Sequence, residues 1–409
     1  MANEEVREKA EQAKNKAAMY GPDVDTGEYE EGNKDADRWD ALDAIPTEES
    51  KWLLNVGVDT SGKDRSGTFV ETGETISFCE TVSNKVEILP TGDALQKYDW
   101  LADYSWNVVP ADTDKYTAEV ALVEGPTMGY FIHAPSGSKE IFPLQACLYI
   151  DLEGTKQRVH NIIIAEEDSE LNIITGCSTK HGINRAMHMG ISEFYVGKNA
   201  KVSFTMIHNW PLGADIRPRT GVRIAEGGYY NSNYICMSPV KTLQLNPKVY
   251  LDGPYANLYA QTLLYATKES KIDAGTVAYL NAENTSAEIV SRVVATDSAE
   301  IMSRGDIYGK GNNSKGHLSC NGLLLSPNAA IRAVPMLDGE NPDSQLSHEA
   351  AVGRIAQDQI LYLMSRGLDE EEATAMILRG FLEADTHHLP QALADETERL
   401  VKIAAESAM

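Results

Sequence analysis

The 409-residue chain has few cysteines, and none of them are close together. Its five cysteines are widely spaced and form no CxxC pair. Zinc ribbons and bacterial ferredoxin-type cluster sites need cysteines close together on one loop, so the sequence excludes both. Five cysteines in a chain of this length do not predict a disulfide framework either. A metal site built on cysteine would need ligands from distant parts of the chain or from several chains.

Long apolar runs are also missing. No run is long enough to span a bilayer, and the acidic start over residues 1–5 has no signal-peptide core. We therefore expect a cytoplasmic protein. Acidic residues number 61 against 36 basic ones, for a net charge of −25. This charge argues against nucleic-acid and anionic-membrane partners, because both bind clustered Lys and Arg.

A nucleotide-binding loop is absent as well. Residues 309–316 (GKGNNSKG) are rich in glycine but do not have the GxxxxGK[ST] order that places lysine and a hydroxyl on phosphate and magnesium. We interpret this segment as a turn. Any use of ATP and magnesium is then expected in a partner and not in this chain.

Three zones of different composition follow one another along the chain. Residues 1–50 combine a predicted surface helix, from Glu4 to about Met19, with a flexible acidic segment rich in Gly, Asp and Glu. Residues 51–340 contain short aliphatic runs typical of strands and no long helical pattern, which excludes the βαβ order of Rossmann and TIM folds. Residues 341–409 turn to a helical pattern.

The strands of the middle zone repeat. A small residue, a polar residue and an aliphatic one recur roughly every thirty residues or at twice that distance, the period expected of a stacked solenoid. A second phase of the same pattern runs in parallel. We therefore predict a mainly β fold with a right-handed parallel β-helix core, and a double-sheet β-sandwich is the alternative. The first phase comprises 169–171, 200–202, 256–258 and 287–289, and the second 270–272, 299–301 and 329–331.

The C-terminal zone predicts three short helices after Pro342. Gly367 is placed as a C′ glycine that ends the first helix, and Asp369 with Glu372 forms a capping box that opens the second. The break at Leu389–Pro390 precedes the third, which ends near Ala405. Three short amphipathic helices cannot bury all their apolar surface on one another, so we expect them to dock on the solenoid or on a partner protein.

One thiol, one imidazole and one carboxylate flank the predicted boundary between strands and helices, namely Cys320, His348 and Glu349. Such a set can hold a soft metal through sulfur and complete its coordination with weaker oxygen or nitrogen donors. The alternatives are a buried structural thiol and a solvated carboxylate near a helix start. His348 could act as a ligand, a proton donor or a partner of a ligand.

The chain resembles the SufB/SufD family of the SUF iron–sulfur cluster assembly system over roughly its last two thirds. The match is strongest in two C-terminal runs, 346–355 (LSHEAAVGRI) and 359–368 (QILYLMSRGL), which are similar to a long family signature. Further matches are Gly176-Cys177-Ser178 with the residues that follow it to Asn209-Trp210, and Cys320-Asn321-Gly322-Leu323-Leu324-Leu325.

The resemblance implies a parallel β-helix scaffold for a nascent iron–sulfur cluster, [4Fe–4S] or [2Fe–2S], that works with a SufC-like ABC-type ATPase and delivers the cluster to apo iron–sulfur proteins. It implies that Cys320 is the scaffold thiolate and Glu349, after His348, its acidic partner. SufD-type members have Gly at the Glu349 position, so the chain is more similar to the SufB type. A single scaffold of this kind implies a homodimer through the C-terminal end of the β-helix.

Cys177 matches a cysteine that, in the resemblance, receives sulfur as a persulfide for passage to Cys320. The residues just after it depart from the family pattern, and free sulfide would make the relay unnecessary. Cys79, Cys147 and Cys236 are expected to be core residues. The C-terminal helices, with Phe381 and Leu389–Pro390, are expected to dock the ATPase.

Two other functions remain as alternatives. One is a SufD-like structural subunit without its own cluster, against which the retention of Cys320 and Glu349 argues. The other is a β-helix polysaccharide lyase or hydrolase using carboxylates on the solenoid face. The missing signal segment and the helical C-terminal signature argue against it. The chain itself is therefore expected to be a scaffold and not an enzyme.

Overall fold

The structure is a computed structural model that describes residues 4–382 together with 398, 399 and 402. It is mainly β, with helices towards both termini, and its strands wind into a β-solenoid of about eight turns. The predicted third C-terminal helix lies almost entirely outside the described residues. No helix within the described part of the chain is long and apolar enough to cross a membrane.

The helices, in chain order, are α1 (Glu4–Ala13), α2 (Thr47–Leu54), α3 (Thr91–Lys97), α4 (Lys115–Ala121), α5 (Gln357–Met364) and α6 (Glu370–Phe381). Short 3-10 turns lie at Thr26–Glu28, Leu42–Ala44 and Asp99–Tyr104. The strands are β1 (Glu30–Glu31), β2 (Gly67–Thr72), β3 (Thr75–Thr81), β4 (Glu87–Pro90), β5 (Tyr130–Ala134), β6 (Leu144–Ile150), β7 (Thr155–Ala165), β8 (Glu170–Thr179), β9 (Arg185–Val196), β10 (Lys201–Asn209), β11 (Gly213–Ile216), β12 (Arg219–Ile224), β13 (Tyr229–Cys236), β14 (Thr242–Leu245), β15 (Lys248–Leu251), β16 (Asn257–Ala266), β17 (Lys271–Ala274), β18 (Val277–Leu280), β19 (Ser286–Ala295), β20 (Glu300–Gly309), β21 (Lys315–Leu324), β22 (Ala330–Gly339) and β23 (Gln345–Gly353).

Parallel pairing joins each solenoid strand to its equivalent in the next turn. One sheet of 10 strands runs β23-β21-β19-β16-β13-β10-β8-β6-β2-β3, and a second of 13 strands forms the remaining faces. Only the β2–β3 and β4–β5 pairs are antiparallel within the described residues. The predicted parallel β-helix is therefore confirmed, and the β-sandwich is not.

The sequence repeats match the strand register closely. Lys271 of β17 pairs with Glu300 of β20, which in turn pairs with Ala330 of β22, as the second phase predicts. In the first phase the last triplet is two residues out of register, because Leu258 pairs with Ala287 and not with Ile289. Ala287 and Ile289 both face the interior, so a shift of two residues keeps the same face of the strand buried.

The interior of the solenoid holds one continuous apolar core, to which every turn contributes. A second apolar cluster covers the outer face of the 10-stranded sheet, where Leu53 and Val56, in and just after α2, pack near Ile207 and Ile235. The same cluster includes Leu378 of α6, so the N-terminal zone and the C-terminal helices both dock on this sheet.

The predicted N-terminal elements differ from those observed. The first helix ends at Ala13 and not near Met19. The segment predicted to be flexible is anchored, because β1 pairs with β7 and the buried hydroxyl of Tyr29 donates to Asp215 at 2.5 Å. The all-β zone predicted from residue 51 contains α3 and α4. These two helices are only seven residues each, too short to show a helical pattern among the surrounding strands.

The predicted C-terminal boundary differs too. Residues 345–353 form β23, the last strand of the solenoid, and the helices begin only at Gln357. His348 and Glu349 therefore lie on a strand, not near a helix start. The capping box of Asp369 and Glu372 is confirmed, and Gly367 has a φ of +102° that suits a C′ glycine. The division into three domains stays a prediction.

Candidate functional site

The three C-terminal residues singled out from the sequence lie on two neighbouring strands at the end of the solenoid. Cys320 is on β21, and His348 and Glu349 are on β23. The parallel register sets Cys320 opposite Ala350, so His348 and Glu349 are the two residues just before that position. The fold thus brings these three residues to the same end of the solenoid, although about thirty residues separate Cys320 from the other two in sequence.

Strand alternation divides the three residues between the two faces of the sheet. Leu318 is fully buried in the interior core, and Cys320, two residues further along β21, faces the same way. His348 pairs with Leu318 and so belongs to this interior face. Glu349 points to the outer face, where it accepts a hydrogen bond from Ser319 Oγ at 3.0 Å.

Cys320 is buried, with 3% of its surface exposed. Burial raises the pKa of its thiol, and a hydrogen bond with Ser303 of β20 opposes that rise. Ser303 also pairs with Ser291 at an Oγ–Oγ distance of 2.8 Å, so a small polar group lies in the last turns of the core. The thiolate is the form that binds metal, and this environment keeps Cys320 as a thiol.

The C-terminal end of the solenoid is open. Within the described residues, β22 pairs only with β20, and β23 pairs only with β21, so each strand leaves one edge of its backbone unpaired. His348 and Glu349 are exposed here. Val352 continues a row of interior residues, yet it is 42% exposed because no further turn covers it.

No three His, Cys, Asp or Glu side chains in the described ranges are close enough together to hold a metal ion. Glu349 contributes to this result, because it faces away from Cys320. The set of Cys320, His348 and Glu349 as cluster ligands therefore stays a prediction, and its geometry requires either a second chain or a rearrangement of this end of the solenoid.

Cys177 lies on β8, fully buried in the interior. It pairs with Leu148 of β6 on one side and His208 of β10 on the other. Burial, together with the nearby Cys147 and Glu71, raises the pKa of its thiol well above the usual range. Four strands (β10, β13, β16 and β19) separate it from Cys320 on β21, which corresponds to roughly 24 Å at ~4.8 Å per strand.

The interior between these two cysteines is not purely apolar. Tyr234 and His208 are hydrogen-bonded at 2.8 Å, and Cys236 follows His208 in the same row of the sheet. Burial lowers the pKa of His208 well below its usual value, so its imidazole is neutral. Polar side chains that face the interior between β8 and β21 include His208, Tyr234, Thr262, Ser291 and Ser303.

Glu193 is a buried acidic residue whose structural role the sequence alone does not reveal. Its carboxylate accepts hydrogen bonds from the backbone N–H groups of Trp106 and Val108 at 2.6 Å and of Val109 at 3.0 Å. His160 Nε2 lies 2.8 Å from the same carboxylate. Glu193 thus fixes the loop before α4 against the solenoid, and an acidic residue inside an aliphatic strand run was the only sequence signal for it.

The C-terminal helices expose an apolar face. Leu361 and Tyr362 of α5 are 56% and 58% exposed, and Met376 of α6 is 45% exposed. Phe381, predicted to belong to the docking surface, is partly buried against the outer face of the 10-stranded sheet. Leu389–Pro390, predicted with it, lies outside the described residues.

Comparison with known proteins gives a consistent result. The family model described as "SUF system FeS cluster assembly, SufBD core domain" matches residues 149–381. A protein of Methanothermobacter thermautotrophicus named "Iron-sulfur cluster assembly SufBD family protein" is 46% identical over 404 residues, which is 96% of this chain and 97% of that relative. A protein of the same name from Archaeoglobus fulgidus is 43% identical over 352 residues, 86% of this chain and 94% of the relative. A Pyrococcus horikoshii family member is 29% identical over 372 residues, 89% of this chain and 82% of the relative.

Proposed function

This chain belongs to the SufBD family of SUF-system iron–sulfur cluster assembly proteins, and we propose that it acts as the SufB-like scaffold on which a labile cluster is built and from which it is transferred. The cluster is cargo in this proposal and not a resident cofactor. Its recipients are apo iron–sulfur proteins, in the cytoplasm, with neither nucleic acid nor membrane as partner.

The open C-terminal end of the solenoid is the observation that carries the proposal. Two unpaired strand edges and an exposed interior position at Val352 favour covering by another β surface. A second copy placed end to end would bring two Cys320 and two Glu349 to a shared boundary. Ligation by thiolate and carboxylate binds iron more weakly than four thiolates, which suits a cluster meant for transfer.

The burial of Cys320 means that this boundary must open before a cluster forms. Cys320 is 3% exposed and Glu349 faces the other side of the sheet, so both have to be reoriented. We assign the driving force to a SufC-like ABC-type ATPase. Its docking surface is the exposed apolar face of α5 and α6, which follow β23 directly in the chain.

Cys177 is proposed to receive sulfur as a persulfide. The row of polar interior side chains between β8 and β21 supports passage of that sulfur along the inside of the solenoid towards Cys320. If sulfide arrives freely instead, Cys177 has no part in assembly. A Cys177→Ala variant separates the two routes, because it should lose cluster formation from a persulfide donor supplied with a two-electron reductant and keep it from inorganic sulfide.

Anaerobic reconstitution with Fe²⁺ and sulfide, in the presence of the ATPase partner and ATP, tests the scaffold. Absorption and Mössbauer spectra of the wild type are compared with those of Cys320→Ala and Glu349→Ala. Cys79→Ala is the matched control, because Cys79 lies on β3 at the other end of the sheet. We expect a defined cluster in the wild type and the control and its loss in the two site variants.

Two results would contradict the proposal. An unchanged cluster in both site variants would remove Cys320 and Glu349 as ligands. No cluster in the wild type, with the partner bound, would overturn the scaffold role and favour the SufD-like structural subunit.

A further inference from the structure

Glu71 lies in the same interior row of the 10-stranded sheet as Cys177, the proposed sulfur acceptor. On β2 it pairs with Leu148 of β6, and Leu148 pairs with Cys177 of β8. Two strand spacings, roughly 10 Å at ~4.8 Å each, therefore separate the two backbones. Glu71 is fully buried, and Leu148 and Cys177 belong to the interior core. A carboxyl group and a thiol thus share the dry interior at this end of the solenoid.

The carboxyl group of Glu71 has hydrogen bonds but no counter-charge. The Gly129 N–H donates to it at 2.8 Å and Gln157 Nε2 at 3.3 Å. Within the described part of the chain no Lys or Arg pairs with it, and the charge that acts on it is that of another acid, Glu74, which pairs with Arg158 at 2.7 Å. An unpaired carboxylate in an apolar interior is costly. Burial therefore raises the pKa of Glu71 to about 8, and the group keeps its proton at neutral pH.

The other titratable groups in this part of the interior are neutral too. Gln157 Oε1 lies 3.0 Å from His188 Nδ1, and burial lowers the pKa of His188 to about 3 and that of His208 well below its usual value. Burial keeps Cys177 protonated. Burial also raises the pKa of the remaining titratable side chains on the neighbouring strands β3, β5 and β6, namely Cys79, Tyr130, Cys147 and Tyr149.

The charge state of Glu71 acts on Cys177. After burial and the nearby Cys147, the charge of Glu71 is the third cause that raises the pKa of the Cys177 thiol. In the chain without bound sulfur this coupling has no effect near neutral pH, because the thiol is still neutral when Glu71 ionises. A persulfide is a stronger acid than the thiol on which it forms. Sulfur on Cys177 would therefore bring an anion close to Glu71, and the two ionisations would then be coupled.

We propose that protonated Glu71 allows Cys177 to hold sulfur as a perthiolate, because the interior then accepts one negative charge and not two. The inference rests on the persulfide route of the proposed function and assigns Glu71 a role in it. With the disulfide anion HS–S⁻ as donor, its S–S bond breaks and a new S–S bond forms at Cys177 Sγ. The thiol proton goes to the leaving sulfide, which departs as H₂S, so no further oxidant or reductant is needed. Glu71 keeps its own proton throughout this step.

Infrared spectroscopy of the full chain, under anaerobic conditions, tests the coupling. The carbonyl band of protonated Glu71, assigned by its absence in Glu71→Gln, should disappear around pH 8 in the untreated chain. After treatment with sodium disulfide, the anion at Cys177 should raise this midpoint by about one pH unit or more. Cys177→Ser should keep the untreated midpoint. Cys147→Ala is the matched control, because Cys147 is equally buried but faces the outer side of the sheet, and its midpoint should rise as in the wild type.

The extent of sulfur loading gives a second readout, measured by mass spectrometry of alkylated Cys177 peptides at a limiting concentration of sodium disulfide. Wild type and Glu71→Gln should load equally at pH 7. At pH 9 the wild type should load roughly fivefold less than the variant, the ratio expected when bound sulfur raises the pKa of Glu71 from 8 by one unit. Circular dichroism at each pH checks that both proteins remain folded.

The outcomes separate this inference from the function on which it rests. Sulfur on Cys177 with an unchanged Glu71 midpoint, or equal loading of both proteins at pH 9, would overturn the role of Glu71 and leave Cys177 as the acceptor. No sulfur on Cys177 at any pH would overturn the acceptor role itself, and the role of Glu71 with it.

Discussion

Glu71 shows how one buried carboxyl makes the stability of the whole chain depend on pH. It lies on β2 with no exposed surface and accepts hydrogen bonds from the Gly129 N–H at 2.8 Å and from Gln157 Nε2 at 3.3 Å. Burial raises its pKa from 4.5 to about 8, more than these hydrogen bonds lower it. The folded chain therefore keeps a proton on Glu71 over a pH range in which the unfolded chain has lost it.

We predict that this proton makes the free energy of unfolding fall as pH rises from about 5 to about 8, with a slope approaching ~1.4 kcal/mol per pH unit from this group. The contribution is complete below the unfolded pKa and is lost through the folded one. Glu71→Gln removes the titration and should flatten the decline, as urea denaturation across this pH range would measure. An equally steep decline in the variant would show that other groups cause it.

At the scale of single residues, what the sequence reveals depends on whether a local rule applies. The capping residue Asp369 and the C′ glycine Gly367 follow from neighbouring positions and were predicted. The anchoring role of Glu193 could not be predicted, because its partners at Trp106 and Val108 come from a loop that is distant in sequence. A buried carboxylate whose partners are distant in sequence produces no local sequence pattern from which its role could be predicted.

At the scale of the elements, the turns between strands limit which residues fit. A Cβ added at Gly311, in the turn after β20, would lie 1.8 Å from the carbonyl oxygen of Ala282 in the turn below. Gly253 occupies the equivalent position in the turn before Ala282. A Cβ added there would lie 1.9 Å from the backbone nitrogen of Glu226. Adjacent turns thus approach each other so closely that backbone, and not a flexible side chain, would have to move.

We predict that Gly311→Ala lowers the free energy of unfolding by about 2 kcal/mol or more, because the stacked turns must separate. Gly339→Ala is the matched control at the end of β22, where a Cβ would meet nothing within 4 Å. It should change stability by less than ~0.5 kcal/mol. Thermal or urea denaturation of both variants measures the difference, and equal stabilities would contradict the close approach.

The elements also explain which part of the fold was predictable. The repeated triplets predicted the parallel solenoid, because stacked strands must turn the same face towards a common core. The helical pattern predicted after Pro342 begins only at Gln357, because the last strand, β23, comes first. Residues 345–353 are largely exposed and lack the buried aliphatic pattern of the other strands, since no further turn covers them. The pattern fails at the open end, where the candidate site also lies.

For the whole molecule, the open end connects the fold with the proposed function. Each earlier turn of the solenoid protects the strand edges of its neighbours, and the last turn leaves its own unpaired among the described residues. Cys320 lies one strand inside this end, close enough to be reached when the end is covered or opened. In the proposed function the cluster site therefore depends on association with a second chain.

We predict that the chain is a homodimer in solution and that the open end forms its interface. Val352→Glu places a charge at an interior-facing position of β23, where a second copy would bury it, so the variant should sediment as a monomer. Leu212→Glu is the matched control, because Leu212 has the same 42% exposure but precedes β11, far from the last turn. Sedimentation velocity should find it dimeric, like the wild type. A monomeric wild type would rule out the dimer, and a Val352→Glu variant that remains dimeric would place the interface elsewhere. Either result would remove the paired Cys320 and Glu349 from the proposed site.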